Sequence, residues 1–308
     1  SSKGIYINNQ ANPSATVTIT NTRVNSGSFI GNGERGLEIY TTKNLSITKA
    51  DSSYGGAGGA ILTSSGGTVT LKNVRFDSNP SHGAWVNGTS INVLGVNASY
   101  NLGSGLSLNA SGTITVASPK DTLAYFGTNT GYGVDVSTVG TVNLTNLFAV
   151  SNNRGLNVLT DGNVSIIGSS AFHNTNQGIY VRTKGTITLK DITTFNNHTT
   201  GIELDNTVEN LNRGVTLTNL TLDQDDNAGL AVGSNGPINL KNVQSTSVSS
   251  GYCVFLQNDT AISNTPITYS GGSVELCGFT GIYIRTKGAV TLSNILAEDA
   301  SINGIDIY

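Results

Sequence analysis

Four acidic residues, Glu38, Asp135, Glu203 and Asp306, sit in closely similar settings, such as Gly133-Val-Asp135-Val and Gly201-Ile-Glu203-Leu, and four aromatic residues share that setting: Tyr6, Trp85, Tyr180 and Tyr283. A residue flanked by two apolar neighbours after a glycine points the opposite way from them on a strand. Such positions therefore form a candidate ligand-binding face, with Trp85, Tyr180 and Tyr283 to stack on rings and Glu203 to accept hydroxyl hydrogen bonds. Acid–base hydrolysis of a glycoside needs two carboxyl groups roughly 5–9.5 Å apart. His82, His173 and His198 are too scattered to converge on one metal. The carboxylates Glu203, Asp205, Glu209, Asp223, Asp225 and Asp226 cluster in sequence, and Asp205, Asp225 and Asp226 are candidate oxygen ligands for calcium. No other cofactor is indicated. Cys253 and Cys277 are too few for a zinc site; they are either two thiols or one disulfide in an oxidising compartment.

The elements that position these residues recur. The glycine that opens each tetrad falls at 4, 36, 59, 83, 105, 133, 155, 178, 201, 229, 251, 281 and 304, and eight of the twelve intervals are 22 to 24 residues. That period marks a solenoid. After each glycine comes a strand with two inward apolar residues, such as Ile179/Val181 or Ile202/Leu204. A second strand follows, with inward pairs such as Val69/Leu71, Ile187/Leu189 and Ile267/Tyr269. Two positions further on stands Asn, Asp or Gly in ten of twelve units, among them Asn21, Asn73, Gly95, Asn146, Asp191 and Asn219. These types tolerate the left-handed backbone of a sharp bend into a short third strand. A second asparagine column (Asn32, Asn79, Asn101, Asn129, Asn174, Asn197) precedes the opening glycine by four residues. On this spacing Asp135 and Glu203 are three coils apart, about 14 Å at 4.8 Å per coil, too far to act as a pair. The outward column of the first strand includes Tyr6, Glu38, Trp85, Asp135, Tyr180, Glu203, Ala231, Cys253 and Tyr283. Long intervals place outer loops at 8–15, 25–35, 119–132, 207–213 and 257–266.

This three-strand repeat resembles the right-handed parallel β-helix of the pectate-lyase-like superfamily, over nearly all of residues 4 to 307. The repeat itself predicts an all-β fold of about twelve coils of 22–24 residues and three parallel sheets, with Ser1–Lys3 and Gly304–Tyr308 too short to cap either end; the resemblance adds the right hand. It likens the column after strand two to an internal asparagine ladder, and agrees with the right-handed rule for parallel crossovers. The chain reads as a single domain, 1–308, and as a segment of a longer repeat protein.

Family members that cleave polygalacturonate carry NTD, DD, GHG and RIK motifs. Here Gln224-Asp225-Asp226 and Ser81-His82-Gly83 match two of them in the wrong order, about six coils or 29 Å apart, so no catalytic residues are assigned. Gly58-Gly59-Ala60-Ile61 and Phe76-Asp77-Ser78-Asn79 resemble motifs of polymorphic outer-membrane adhesins, which favours a secreted or cell-surface structural and adhesive protein. A polysaccharide-binding or polysaccharide-degrading domain is the first alternative. An ice-binding solenoid is the second, drawn from the outward Thr18, Thr70, Thr115, Thr188, Thr216, Thr268 and Thr291.

Composition narrows the partners. Apolar residues make up 37% of 308 and charged ones only 11%, with a net charge of −3. No basic stripe is available for nucleic acid, and no apolar run is long enough for membrane insertion. The partners expected are copies of the chain or neighbouring segments of its parent, meeting at sheet edges, and glycans.

Overall fold

The computed structural model describes residues 2–12, 14–20, 29–119, 124–209 and 211–308. Positions 13, 21, 25–28, 120–123 and 210, which belong to the bends and loops expected above, lie outside the described residues. Among the described residues there are 28 strands and no helix, hence none long and apolar enough to cross a membrane.

The chain separates into two compact units, Ser1–Asn157 and Val158–Tyr308. In the first unit, Ile5–Asn9, Arg35–Thr41, Gly58–Ser64, Ala84–Gly88, Leu106–Ala110 and Val134–Thr138 pair in that order, all parallel. A second series runs from Val17–Thr20 through Leu45–Thr48, Thr68–Lys72, Ser90–Leu94 and Ile114–Ala117 to Val142–Thr145. The second unit repeats the scheme. Its first face is Ile179–Thr183, Thr200–Asp205, Ala228–Gly233, Tyr252–Gln257, Ile282–Arg285 and Ile305–Ile307. Its second face runs from Val164–Ile167 to Val290–Ala297. Each strand thus pairs with its counterpart one coil away, as a parallel β-helix requires.

The register stacks like on like. Ile179, Ile202, Leu230 and Val254 are successive partners, as are Ile187, Val215, Ile238 and Ile267, and all are buried. Tyr269 takes its place inside because its hydroxyl donates to the Val243 carbonyl at 2.8 Å, which satisfies the one polar atom of the ring. The bend after the second strand is left-handed as expected, at Asn73, Asn146, Asp191, Asn219, Asn242 and Asn294, with φ of 53–55°. Hydrogen bonding continues through this bend in Ile187–Phe195, Val215–Asp223 and Ile238–Val248. The second and third faces therefore form one bent sheet, and the described residues make two hydrogen-bonded sheets rather than three.

The internal ladder is the other asparagine column. Asn79 donates from both N and Nδ2 to Asn101 Oδ1, each at 3.0 Å; Asn101 does the same to Asn129, and Asn129 to Asn152. In the second unit Asn174 donates in this way to Asn197, and Asn197 to Asp225. The column after strand two is exposed instead, as the Asn219–Asp191 and Asn242–Asn219 contacts show. The difference is geometric: a left-handed bend residue turns its side chain outward, whereas the turn before the glycine folds its amide into the coil. Every ladder position is preceded by a second left-handed residue, including Ser78, Tyr100, Thr128, Ser151, Asn196 and Gln224, a bend that residue types do not announce. The opening glycine lies against this ladder. A Cβ at Gly83 would stand 2.5 Å from the Gly105 carbonyl and 2.9 Å from Asn101 Nδ2.

One coil departs from the expected register. Gly229 is matched by Cys253 rather than by Gly251, because Leu230 pairs with Val254 and Val232 with Leu256. Val248 pairs with Cys277, which puts Cys277 at the ladder position of its coil. The two cysteines are bonded to each other, with Cα atoms 5.5 Å apart, and both are buried. A disulfide thus stands where other coils place a glycine against an asparagine. Cys253 is not an outward residue; Phe255 is.

Candidate functional site

On the first face of Val158–Tyr308, three neighbouring strands build a groove. Glu203, Ala231 and Phe255 are successive partners in register, and so are Asp205, Gly233 and Gln257. The middle strand, Ala228–Gly233, therefore presents only Ala231 and Gly233 outward, between a carboxylate wall on one side and an aromatic and amide wall on the other. Two inter-strand spacings separate the walls, about 10 Å. With a small floor, this leaves a cavity of about 520 Å³, also lined by Thr200, Thr207, Asn227 and Tyr252. The groove follows the Ala228–Gly233 strand, across the coil.

The aromatic wall is braced from behind. Phe255 stacks on Tyr283 of the next coil with centroids 5.6 Å apart and planes within 6°. Tyr252 packs against Phe255, Tyr283 and Phe279 at 5.6, 5.0 and 5.3 Å. A parallel stack along the coil axis turns the other face of Phe255 toward the groove. The acidic wall is braced as well. Glu203 Oε2 accepts from Gln177 Nε2 at 2.7 Å. Asp205 Oδ1 accepts from the Thr207 amide and hydroxyl, and its Oδ2 lies 3.5 Å from Arg182 Nε. Fixed carboxylates beside a fixed ring face suit a ligand that is apolar on one flat side and rich in donors on the other.

Of the residues singled out in the sequence, Glu203 is a wall of the groove. Tyr180 is its partner one coil before, and Tyr283 is the ring behind Phe255. Phe255, Tyr252 and Gln257 escaped the sequence reading because the Gly251 spacing set their coil two residues out of register. Aligning the apolar pair Val254/Leu256 on Leu230/Val232 would have found them.

Trp85 belongs to the other unit. It is exposed and meets His82 edge-on at 5.8 Å, in a column that continues through Ser107 to Asp135. Burial pushes the Asp135 carboxyl above its ordinary value, opposed by a 2.7 Å hydrogen bond from Asn157 Nδ2. Arg154 Nη1 in turn donates to Asn157 Oδ1 at 2.9 Å. The residues flanking Asp135 are thus Ser107 and Asn157, neither a second carboxyl group for acid–base work.

The three calcium candidates do not converge. Asp225 is wholly buried as a ladder member, with Oδ1 on Asn197 and Oδ2 on the Thr194 hydroxyl at 2.9 Å. Asp226 faces His198 at 3.4 Å, and Asp205 holds Thr207. Among the described residues no group of three or more His, Cys, Asp or Glu side chains is arranged to hold a metal ion. Ion pairs join neighbouring coils instead, Arg182–Asp205 at 3.5 Å and Lys184–Asp161 at 3.2 Å, and Lys184 also meets Glu209 at 2.9 Å.

A family model described as right handed beta helix region matches residues 1–120. Together with strands that pair in parallel from coil to coil, this defines the class: a right-handed parallel β-helix. No curated protein and no solved structure matches the chain.

Proposed function

We propose that this chain is a structural, adhesive segment of a secreted or cell-surface protein, and that the groove over Ala231 and Gly233 binds a glycan. The single observation that carries this reading is the facing of Phe255 and Glu203 across the small Ala231. A pyranose ring has one flat face of C–H groups for an aromatic ring and an edge of hydroxyls for carboxylate and amide acceptors. The walls stand far enough apart to admit one such ring. The buried Cys253–Cys277 disulfide supports an oxidising compartment. Binding rather than cleavage is favoured because Glu203 and Asp205 both stand on one wall and the facing wall, Phe255 and Gln257, carries no carboxyl group to complete a pair flanking a bound ring.

Glycan-array binding and depolymerisation assays test this on the wild type, Phe255→Ala and Ala231→Trp. The expected result is binding without turnover. Phe255→Ala should weaken it by roughly tenfold, the scale of one aromatic contact, and Ala231→Trp should abolish it while the fold is retained. Reproducible chain cleavage would overturn the non-enzymatic reading, and an array with no ligand would overturn glycan binding.

A further inference from the structure

The charge in the groove is one-sided. Its lining contains Glu203 and Asp205 and neither lysine nor arginine. Arg182 offsets Asp205 from the side, which leaves Glu203 as the less compensated charge. Gln177 occupies only Glu203 Oε2; Oε1 has no hydrogen-bond partner among the described residues. Across Ala231 the opposite wall is the face of Phe255, backed by Tyr283 and flanked by Tyr252. Ring faces carry the negative end of the aromatic quadrupole and attract cations. Both walls therefore favour positive charge at one place, the space above Ala231. A uronate or sulfated sugar would bring a second negative charge against Glu203 and an electron-rich ring, which costs affinity.

We propose that the groove selects a sugar bearing a free protonated amine, with the ammonium seated between Glu203 and the face of Phe255. This rests on the glycan-binding reading and narrows it to amino sugars. The hydroxyls of such a ring lie toward Asp205, Gln257 and Asn227, and its C–H face lies on Phe255. The preference is electrostatic in origin, so added salt weakens it more than it weakens the binding of a neutral ring.

Isothermal titration with a deacetylated β-1,4-linked glucosamine hexamer, its N-acetylated counterpart and a hexamer of galacturonate tests this at pH 6. The expected order is amine, then acetylated, then acidic, with at least tenfold between the first two. Glu203→Gln should bring the amine and acetyl hexamers to within about twofold of each other while the acetyl hexamer still binds. Glu298→Gln, an equal change of charge outside the groove, should leave the preference intact, which separates a seated ammonium from general attraction of a polycation to an acidic protein. Equal affinities in the wild type, a preference for the acidic hexamer, or a preference that survives Glu203→Gln would each overturn the amine proposal while leaving glycan binding in place. No affinity for any hexamer would overturn the amine proposal, and glycan binding falls with it only if the array also finds no ligand.

Discussion

Asp225 takes a ladder position that asparagine fills at Asn174 and Asn197, and the exchange has a thermodynamic signature. Its carboxyl is pushed from an ordinary 3.8 up to about 6, chiefly by burial, against the hydrogen bonds from Asn197 and Thr194. The folded protein therefore holds this proton more tightly than the unfolded chain does. The Asp225 contribution is most favourable below about pH 4, falls as pH rises through about 6, and is constant above. That difference corresponds to at most about 3 kcal/mol. Asp225→Asn keeps the acceptor for Asn197, and the Thr194 hydroxyl can turn to accept from the new amide. The variant should be more stable than wild type at pH 7 by about 1–3 kcal/mol, with the gap closing near pH 4, as read from urea unfolding across that range. A constant gap at all pH values would assign the effect to packing instead.

The coil is the unit on which the remaining stability depends. Asn101 Oδ1 accepts from Asn79, and its Nδ2 donates to Asn129 Oδ1 in the next coil and back to the Phe76 carbonyl in the coil of Asn79. Asn101→Ala leaves buried donors and an acceptor unpaired, so we expect a loss of about 2–4 kcal/mol, measured by denaturant unfolding. The disulfide closes a sequence separation of 24 residues. The double variant Cys253→Ser, Cys277→Ser should lose about 3 kcal/mol, and amide exchange should rise first in Tyr252–Gln257 and Ile267–Cys277. At this scale the strands were legible in the sequence, because inward Ile, Val and Leu recur with period two and stack on one another. The bend after strand two was legible too, since Asn and Gly mark a left-handed residue. The ladder was misplaced because an asparagine looks the same in sequence whether its amide faces solvent or another amide. The register near Gly251 failed because a bonded cysteine stands where the pattern calls for glycine, and that hid Phe255, the residue on which the candidate site turns.

Across the whole molecule, polar uncharged residues do the solvating. With 11% charged residues and a net charge of −3, surface ion pairs such as Arg182–Asp205 contribute little each. Thermal unfolding should shift by no more than about 2 °C between low salt and roughly 0.5 M salt, since screening removes only exposed pairs; a larger shift would assign the fold's stability to its charges. Binding in the groove should respond to salt far more, which separates the two properties in one titration. The direction of that groove also bears on growth by duplication. Because it runs along the Ala228–Gly233 strand, its reach is limited by how many residues a single coil devotes to that face. A gene that gained further copies of this unit would acquire more docking stations for short saccharides, and the protein's grip on any one chain would stay the same length.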